Sequence, residues 1–278
     1  MQQLVPTGDG SLSRFNDEAG ELYHNKIGAY TEALEHYFVP SAAVEILQKN
    51  GELGLLDVCF GLGYNSFVLL DQLVKRQLSK GKVKVVAVEL DAEIISFLPE
   101  ILDQEKLADL RCCMPETIGD FGAYSFQTPT GVDIDLRLIQ GDVRKVVPLL
   151  DQPFDLIFHD PFSTLKMPEL WSVDLFRHYA RLTAERRGKV TTYSTARSVR
   201  TGFYQAGFEI WDTAPLGGKR GGTVAAQPGA VMGDSVTRLA AKEVAKLSAG
   251  TAIPYRDQDL RQTREHIFET RNKEQASG

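Results

Sequence analysis

Gly54-Leu55-Leu56-Asp57-Val58-Cys59-Phe60-Gly61-Leu62-Gly63-Tyr64-Asn65-Ser66 is the stretch from which the fold is read. An apolar run enters a glycine turn, and a helical pattern follows to about Leu78. Gly61 and Gly63 permit backbone amides to approach a ligand, and the N-terminus of the next helix favours an anion. The three-glycine dinucleotide fingerprint is not completed, because Ser66 stands where its last glycine belongs, which argues against NAD or FAD.

Downstream, the β-branched run Val83 to Val88 ends at Glu89, where an acidic side chain can accept two ribose hydroxyls. A third strand, Asp135 to Ile139, stops at Gln140-Gly141-Asp142 before a short helix from Val143 to Leu150. Asp142 reads either as the helix cap or as a group that also meets an adenine amino group. The fourth strand, Phe154-Asp155-Leu156-Ile157-Phe158, leads into His159-Asp160-Pro161-Phe162-Ser163. A short apolar run between prolines suits a parallel strand buried on both faces, and ligands gather at the carboxyl ends of such strands. Alone, Asp160-Pro161 is better read as a strand stop, and the rest of the chain must decide.

Gly188 to Ser194 is a fifth strand and Arg197 to Gln205 a helix. Gly207 to Trp211 and Thr223 to Ala226 fit a closing pair joined by Gly217-Gly218-Lys219-Arg220-Gly221-Gly222. This basic pair is either a solvated hairpin or a phosphate contact. Alternating strands and helices predict an α/β fold, a mainly parallel doubly wound sheet with an antiparallel closing strand. Residues 1–19 read as an irregular arm, and Glu21 to Phe38 has helical spacing. The expected organisation is an N-terminal arm with helices over 1–50, a core over 51–230 with 99–134 as an insertion, and a C-terminal helical extension over 231–278. His24 is either a satisfied structural histidine or a polar group in a cleft beneath the arm.

The chain has 278 residues, 43% of them hydrophobic and 24% charged, enough for one sizeable core. A formal charge of −6 gives no global attraction to nucleic acid, so an RNA partner would need a local basic patch. Cys59, Cys112 and Cys113 lack zinc-site spacing, and the adjacent pair does not easily close a standard bridge, which points to a reducing cytoplasm. No metal is expected. The start lacks a charged segment followed by an apolar core, and no run reaches membrane length, so neither secretion nor membrane insertion is expected.

In order, the glycine turn, Glu89, Gly141-Asp142 and Asp160-Pro161-Phe162 resemble the Rossmann-like class I S-adenosylmethionine-dependent methyltransferases. Phe60-Gly61-Leu62-Gly63-Tyr64-Asn65, Asp160-Pro161-Phe162-Ser163, Pro168-Glu169-Leu170-Trp171, Val199-Arg200, Ala206-Gly207-Phe208 and Gly218-Lys219-Arg220 carry a closer resemblance. It is to the methyltransferase domain of the tRNA 5-methylaminomethyl-2-thiouridine biosynthesis protein family, in its stand-alone form without the flavin oxidase domain. Asp9-Gly10-Ser11, Tyr23-His24, Gly28-Ala29-x-x-Glu32 and the tail from Pro254-Tyr255-Arg256-Asp257 fit as well. Thr164-Leu165-Lys166-Met167, Leu62 and Tyr64 depart from the pattern.

The resemblance implies S-adenosylmethionine as cofactor and methylation of the aminomethyl group of a wobble uridine in tRNA, with a separate enzyme supplying that amine. For the cofactor it implies Asp57, Gly61, Gly63, Asn65, Glu89, Asp142 and Val143, with the glycines near the methionine part, Glu89 on the ribose and Asp142 near the adenine. Asp160 would hold or deprotonate the amine, and Phe162 would stack on the uracil. His24, Lys166, Arg200, Lys219 and Arg220 are the candidate tRNA contacts. The alternatives are a methyl- or aminopropyltransferase for a small free amine, and a non-catalytic tRNA-binding protein.

Overall fold

The computed structural model describes residues 3–17, 20–24, 27–216 and 221–277. Its centre is a nine-stranded sheet: β1 (Glu52–Val58), β2 (Gly81–Glu89), β3 (Gly122–Gln127), β4 (Val132–Gln140), β5 (Leu156–His159), β6 (Lys189–Thr192), β7 (Glu209–Thr213), β8 (Thr223–Ala226) and β9 (Val236–Arg238). The spatial order is β9-β7-β8-β6-β5-β1-β2-β4-β3. The five strands from β6 to β4 are mutually parallel, while β8, β7 and β9 on one side and β3 on the other each join their neighbour by antiparallel pairing. This is the expected Rossmann-like, mainly parallel α/β architecture, with antiparallel pairings at both edges.

The central strands are apolar along their length because both sheet faces are covered. Leu53, Leu55, Val83, Val85 and Ala87 pack into one core, with α1 (Ala43–Asn50) and α2 (Tyr64–Lys75). Leu56, Val58, Val86 and Val88 alternate to the opposite core, with α3 (Val173–Ala184) and α4 (Arg197–Gln205). Truncating a side chain such as Leu55 to alanine should cost about 2–5 kcal/mol.

Several boundaries differ from the sequence reading. Helical structure begins at Ala29 rather than Glu21, and Glu21–Leu22 pairs with Phe15–Asn16 instead. The arm is anchored by Asp9, whose carboxylate accepts the Thr31 amide at 2.9 Å and the Thr31 hydroxyl at 2.7 Å. Residues 99–134, expected as an insertion, build the sheet edge: β3 and the start of β4 lie within them. Ile101, Leu102, Leu107 and Leu110 from the same stretch are fully buried in the first core. The register of β4 therefore runs from Val132, paired with Gly81, not from Asp135. The expected core boundary at 230 falls short of the sheet, because β9 adds to β7.

Candidate functional site

The carboxyl ends of β1, β2, β4, β5 and β6 open onto one cavity of about 880 Å³, within the roughly 300–1,000 Å³ of small-molecule sites. Among the sequence-predicted residues it is lined by His24, Glu89, Asp142, Val143, Asp160 and Phe162. These come from separate strands and loops, and the parallel register alone brings them together.

The glycine turn acts one layer below the cavity. Gly63 has φ +80°, and a Cβ there would stand 2.6 Å from both the Phe60 and Phe67 rings. Gly61 has φ +55°, and a Cβ would reach within 3.1 Å of the Tyr23 ring, which the arm lays over the turn. The Gly61 amide donates to Glu89 Oε2 at 2.8 Å, so it positions Glu89 instead of meeting a ligand directly. Glu89 Oε1 accepts the Leu90 and Asp91 amides at 2.8 and 2.9 Å. Burial raises the Glu89 pKa against these three amide bonds. Asp57 lies outside the cavity lining. It is fully buried, bonded to the Ser66 hydroxyl at 2.6 Å, and burial pushes its pKa up to about 8. Asn65 likewise does not line the cavity; its side-chain amide donates to Asp160 Oδ2 at 2.8 Å.

Asp142 caps its helix through the Arg144 amide at 2.9 Å and meets the Arg144 guanidinium at 3.3 Å. Arg144 also holds Asp257 Oδ2 and the Gln262 carbonyl, at 3.2 and 3.1 Å, so the C-terminal segment closes this end. Leu90, 66% exposed, lines the cavity next to Glu89, and such an apolar surface suits cover by a planar base.

The Asp160 loop is pinned from behind. The Trp171 indole N–H donates to the Phe162 carbonyl and the Tyr193 hydroxyl to the Pro161 carbonyl, both at 2.9 Å. Phe162 sits 5.1 Å from Tyr23, ring centre to ring centre, and Ser163 Oγ bonds Glu21 at 3.1 Å. Asp160 is half-buried, and burial raises its pKa to about 6. His24 packs edge-on to Tyr64 at 5.0 Å, and burial lowers its pKa to about 4, leaving it neutral near pH 7. A neutral buried imidazole is a poor phosphate ligand.

Three candidate tRNA contacts need correction or fall outside the described residues. Arg200 is committed within the fold to Asp212, to Thr223 Oγ1 at 2.9 Å and to the Gly222 carbonyl at 3.3 Å. The sequence could not show that β7 and β8 bring these acceptors to it. Lys219 and Arg220 lie outside the described residues. Lys166 is exposed, in the loop immediately before the lining residue Met167.

Sequence reasoning assigned no role to the lining residues Tyr193, Arg144 and Arg264. Tyr193 directly follows β6, so the strand-end rule would have found it. Arg264 bonds Glu169 at 2.8 Å, and its place in a charged C-terminal helix gave no local signal. Among the described residues seven carboxylates line the cavity (Glu21, Glu32, Glu89, Asp91, Asp142, Asp160 and Glu169) against two guanidiniums. Both guanidiniums are paired with carboxylates. Such a cavity favours cationic molecules, and a sulfonium donor carries a positive charge. The cavity size, Leu90 and this charge fit S-adenosylmethionine. Among the described residues no group of three or more His, Cys, Asp or Glu could hold a metal, and no helix is long and apolar enough to cross a membrane.

A family profile described as S-adenosyl-L-methionine-dependent methyltransferase matches residues 120–228. The uncharacterized protein MJ0670 of Methanocaldococcus jannaschii is 27% identical over 97% of this chain and 71% of its own. The tRNA 5-methylaminomethyl-2-thiouridine biosynthesis bifunctional protein MnmC of Ralstonia nicotianae is 28% identical over 81% of this chain but 34% of its own. The chain thus spans about a third of that bifunctional relative. The crystal structure of MNMC2 from Aquifex aeolicus superposes with a TM-score of 0.76 at 27% identity, covering 100% of this chain and 86% of that one. The chain is an S-adenosylmethionine-dependent methyltransferase of Rossmann-like fold, related to the methyltransferase domain of the tRNA 5-methylaminomethyl-2-thiouridine biosynthesis proteins.

Proposed function

We propose that the chain methylates the primary amine of an aminomethyl group on the wobble uridine of tRNA. The observation that carries this reading is Asp160: a half-buried carboxylate, its pKa raised by burial to about 6, in the lining of a carboxylate-rich cavity together with an aromatic ring, Phe162. The related MnmC proteins, named for tRNA methylaminomethyl-thiouridine biosynthesis, supply the substrate class.

When bound, S-adenosylmethionine supplies a methyl group already activated on a sulfonium. The protein's task is to align a nitrogen lone pair and to exclude water. An alkylamine is largely protonated near neutrality, with a model value of ~10.4, and must lose a proton before it attacks. Asp160, ionised above about pH 6, receives that proton or a hydrogen bond from the amine. Phe162 and Tyr23 form an aromatic wall suited to an unstacked base. Glu89 takes the ribose hydroxyls, and Asp142 with Val143 takes the adenine. Lys166, Lys219 and Arg220 remain the proposed phosphate contacts. The primary amine is formed by a preceding reaction, which we assign to a separate enzyme acting in the cytoplasm. As a domain division we propose the arm and helices over 1–50, the core with its edge strand to about 238, and the C-terminal segment beyond.

A small free amine is the second reading, favoured by the anionic cavity and by the internal commitment of Arg200. Incubation with labelled S-adenosylmethionine and tRNA from cells lacking this methylation, followed by nucleoside analysis, tests the two. Label in methylaminomethyl-uridine is the expected result. Label only in an added small amine overturns the tRNA reading.

A further inference from the structure

Asp160 and the backbone just before it are held by two groups that themselves stay out of the cavity. Asn65, 4% exposed, stands in the first turn of α2 and donates to Asp160 Oδ2 at 2.8 Å. Tyr37 is fully buried; its hydroxyl donates to the His159 carbonyl at 3.5 Å, on the residue that directly precedes Asp160. Tyr37 comes from a six-residue π-helix, Ala33–Phe38, in the N-terminal helical layer. π-Helical turns are rare and concentrate at functional sites. Here the turn buries Tyr37 against Phe158 at the end of β5, with ring centres 5.4 Å apart, while Glu32, just before the turn, and His36 within it line the cavity.

A carboxylate has two oxygens and about four lone-pair sites, so a donor on one oxygen fixes the rotamer without using up the group. From this geometry we infer that Asn65 and Tyr37 are positioning residues for methyl transfer: Asn65 orients the Asp160 carboxylate and Tyr37 fixes the backbone just before it, so that the remaining acceptor capacity of Asp160 meets the acceptor nitrogen. The inference rests on the reading of Asp160 as the group facing the amine. It gives the N-terminal layer a part in the reaction and makes Asn65 the link between the glycine turn and the acceptor.

The electrostatics agree with this arrangement. Around Asp160 stand Tyr37 from the N-terminal layer, Asn65 from α2, Asp57 and Cys59 from β1 and its end, and Tyr193 after β6. Burial raises the Asp160 pKa, and the Asn65 amide together with the nearby Tyr37 hydroxyl lowers it. Removing either group therefore raises it further, and a reaction that needs the ionised carboxylate has its acid limb displaced to higher pH.

The test uses the full chain with Tyr37→Phe and Asn65→Ala. Calorimetry measures S-adenosylhomocysteine binding, and single-turnover methyl transfer to tRNA lacking the methyl group is followed against pH. The expected result is a dissociation constant within about threefold of the parent, a rate lowered about tenfold or more, and an acid limb displaced upward. If Asn65→Ala does not fold, Asn65→Ser and Tyr37→Phe carry the test. A rate and acid limb unchanged in variants that merely melt earlier would overturn the inference and leave a packing role. An Asp160→Asn variant run alongside separates the two levels. If it is inactive while the clamp variants are normal, only the clamp fails; if it is active, the reading of Asp160 itself fails.

Discussion

Replacing Asp160 with asparagine should raise stability while removing turnover. The folded protein holds this carboxyl at about 6 against a model value of 3.8, and burial is the largest cause. Between those values the folded chain binds more protons than the unfolded chain, so stability falls as pH rises through them, and the full cost is present above pH 6. Two units correspond to at most ~3 kcal/mol. Because Asp160 is only half-buried, solvent screening reduces this to about 1 kcal/mol. In a chain of this size that is about 2–4 °C of melting temperature. The amide oxygen of the substituted side chain can still accept the Asn65 bond, so little is lost in exchange. Thermal melts of both proteins from pH 4 to pH 8 check the sign. The variant should melt higher at pH 7.5, and the difference should vanish near pH 4. A variant that melts lower at pH 7.5, or a gap that does not close on acidification, would refute the electrostatic argument; near-normal methyl transfer would refute the chemical one.

Three further outcomes are expected. Glu89→Gln removes the charge that gathers three backbone amides, and should raise the dissociation constant for S-adenosylmethionine at least tenfold by calorimetry, with the fold retained. The pKa of Asp57 lies near 8, raised by burial, so stability should decline between about pH 4 and pH 8, and Asp57→Asn should flatten the slope in pH-dependent melts. Arg200→Met should lose about 1–2 kcal/mol in denaturant unfolding through its ties to Asp212, Thr223 and Gly222, while the salt dependence of tRNA binding stays unchanged.

The strand–glycine–helix unit at 54–66 and the acids that end later strands are local patterns, and they carried the fold class and most of the cavity lining. Local sequence determines burial period and turn chemistry, and those are what the parallel sheet is made from. It could not distinguish a residue that faces a ligand from one that supports it. Gly61, Asp57 and Asn65 belong to the motif, yet they support Glu89, Ser66 and Asp160 respectively. Residues 99–134 were illegible because their apolar residues are spread over short helices and an edge strand, with no long period to read. Arg200 reads as a surface cation until β7 and β8 bring Asp212 and Thr223 to it.

The sequence alone determined the order of chemical groups along the chain and the strand ends that carry them. Only the tertiary structure decided that Tyr37, Asn65 and Asp160, up to 123 residues apart, meet at the end of one strand, and that the tail reaches the cavity through Arg144 and Arg264. The physical reason is that hydrogen bonds and ion pairs are set by distances of about 3 Å in space, which separation along the chain does not encode.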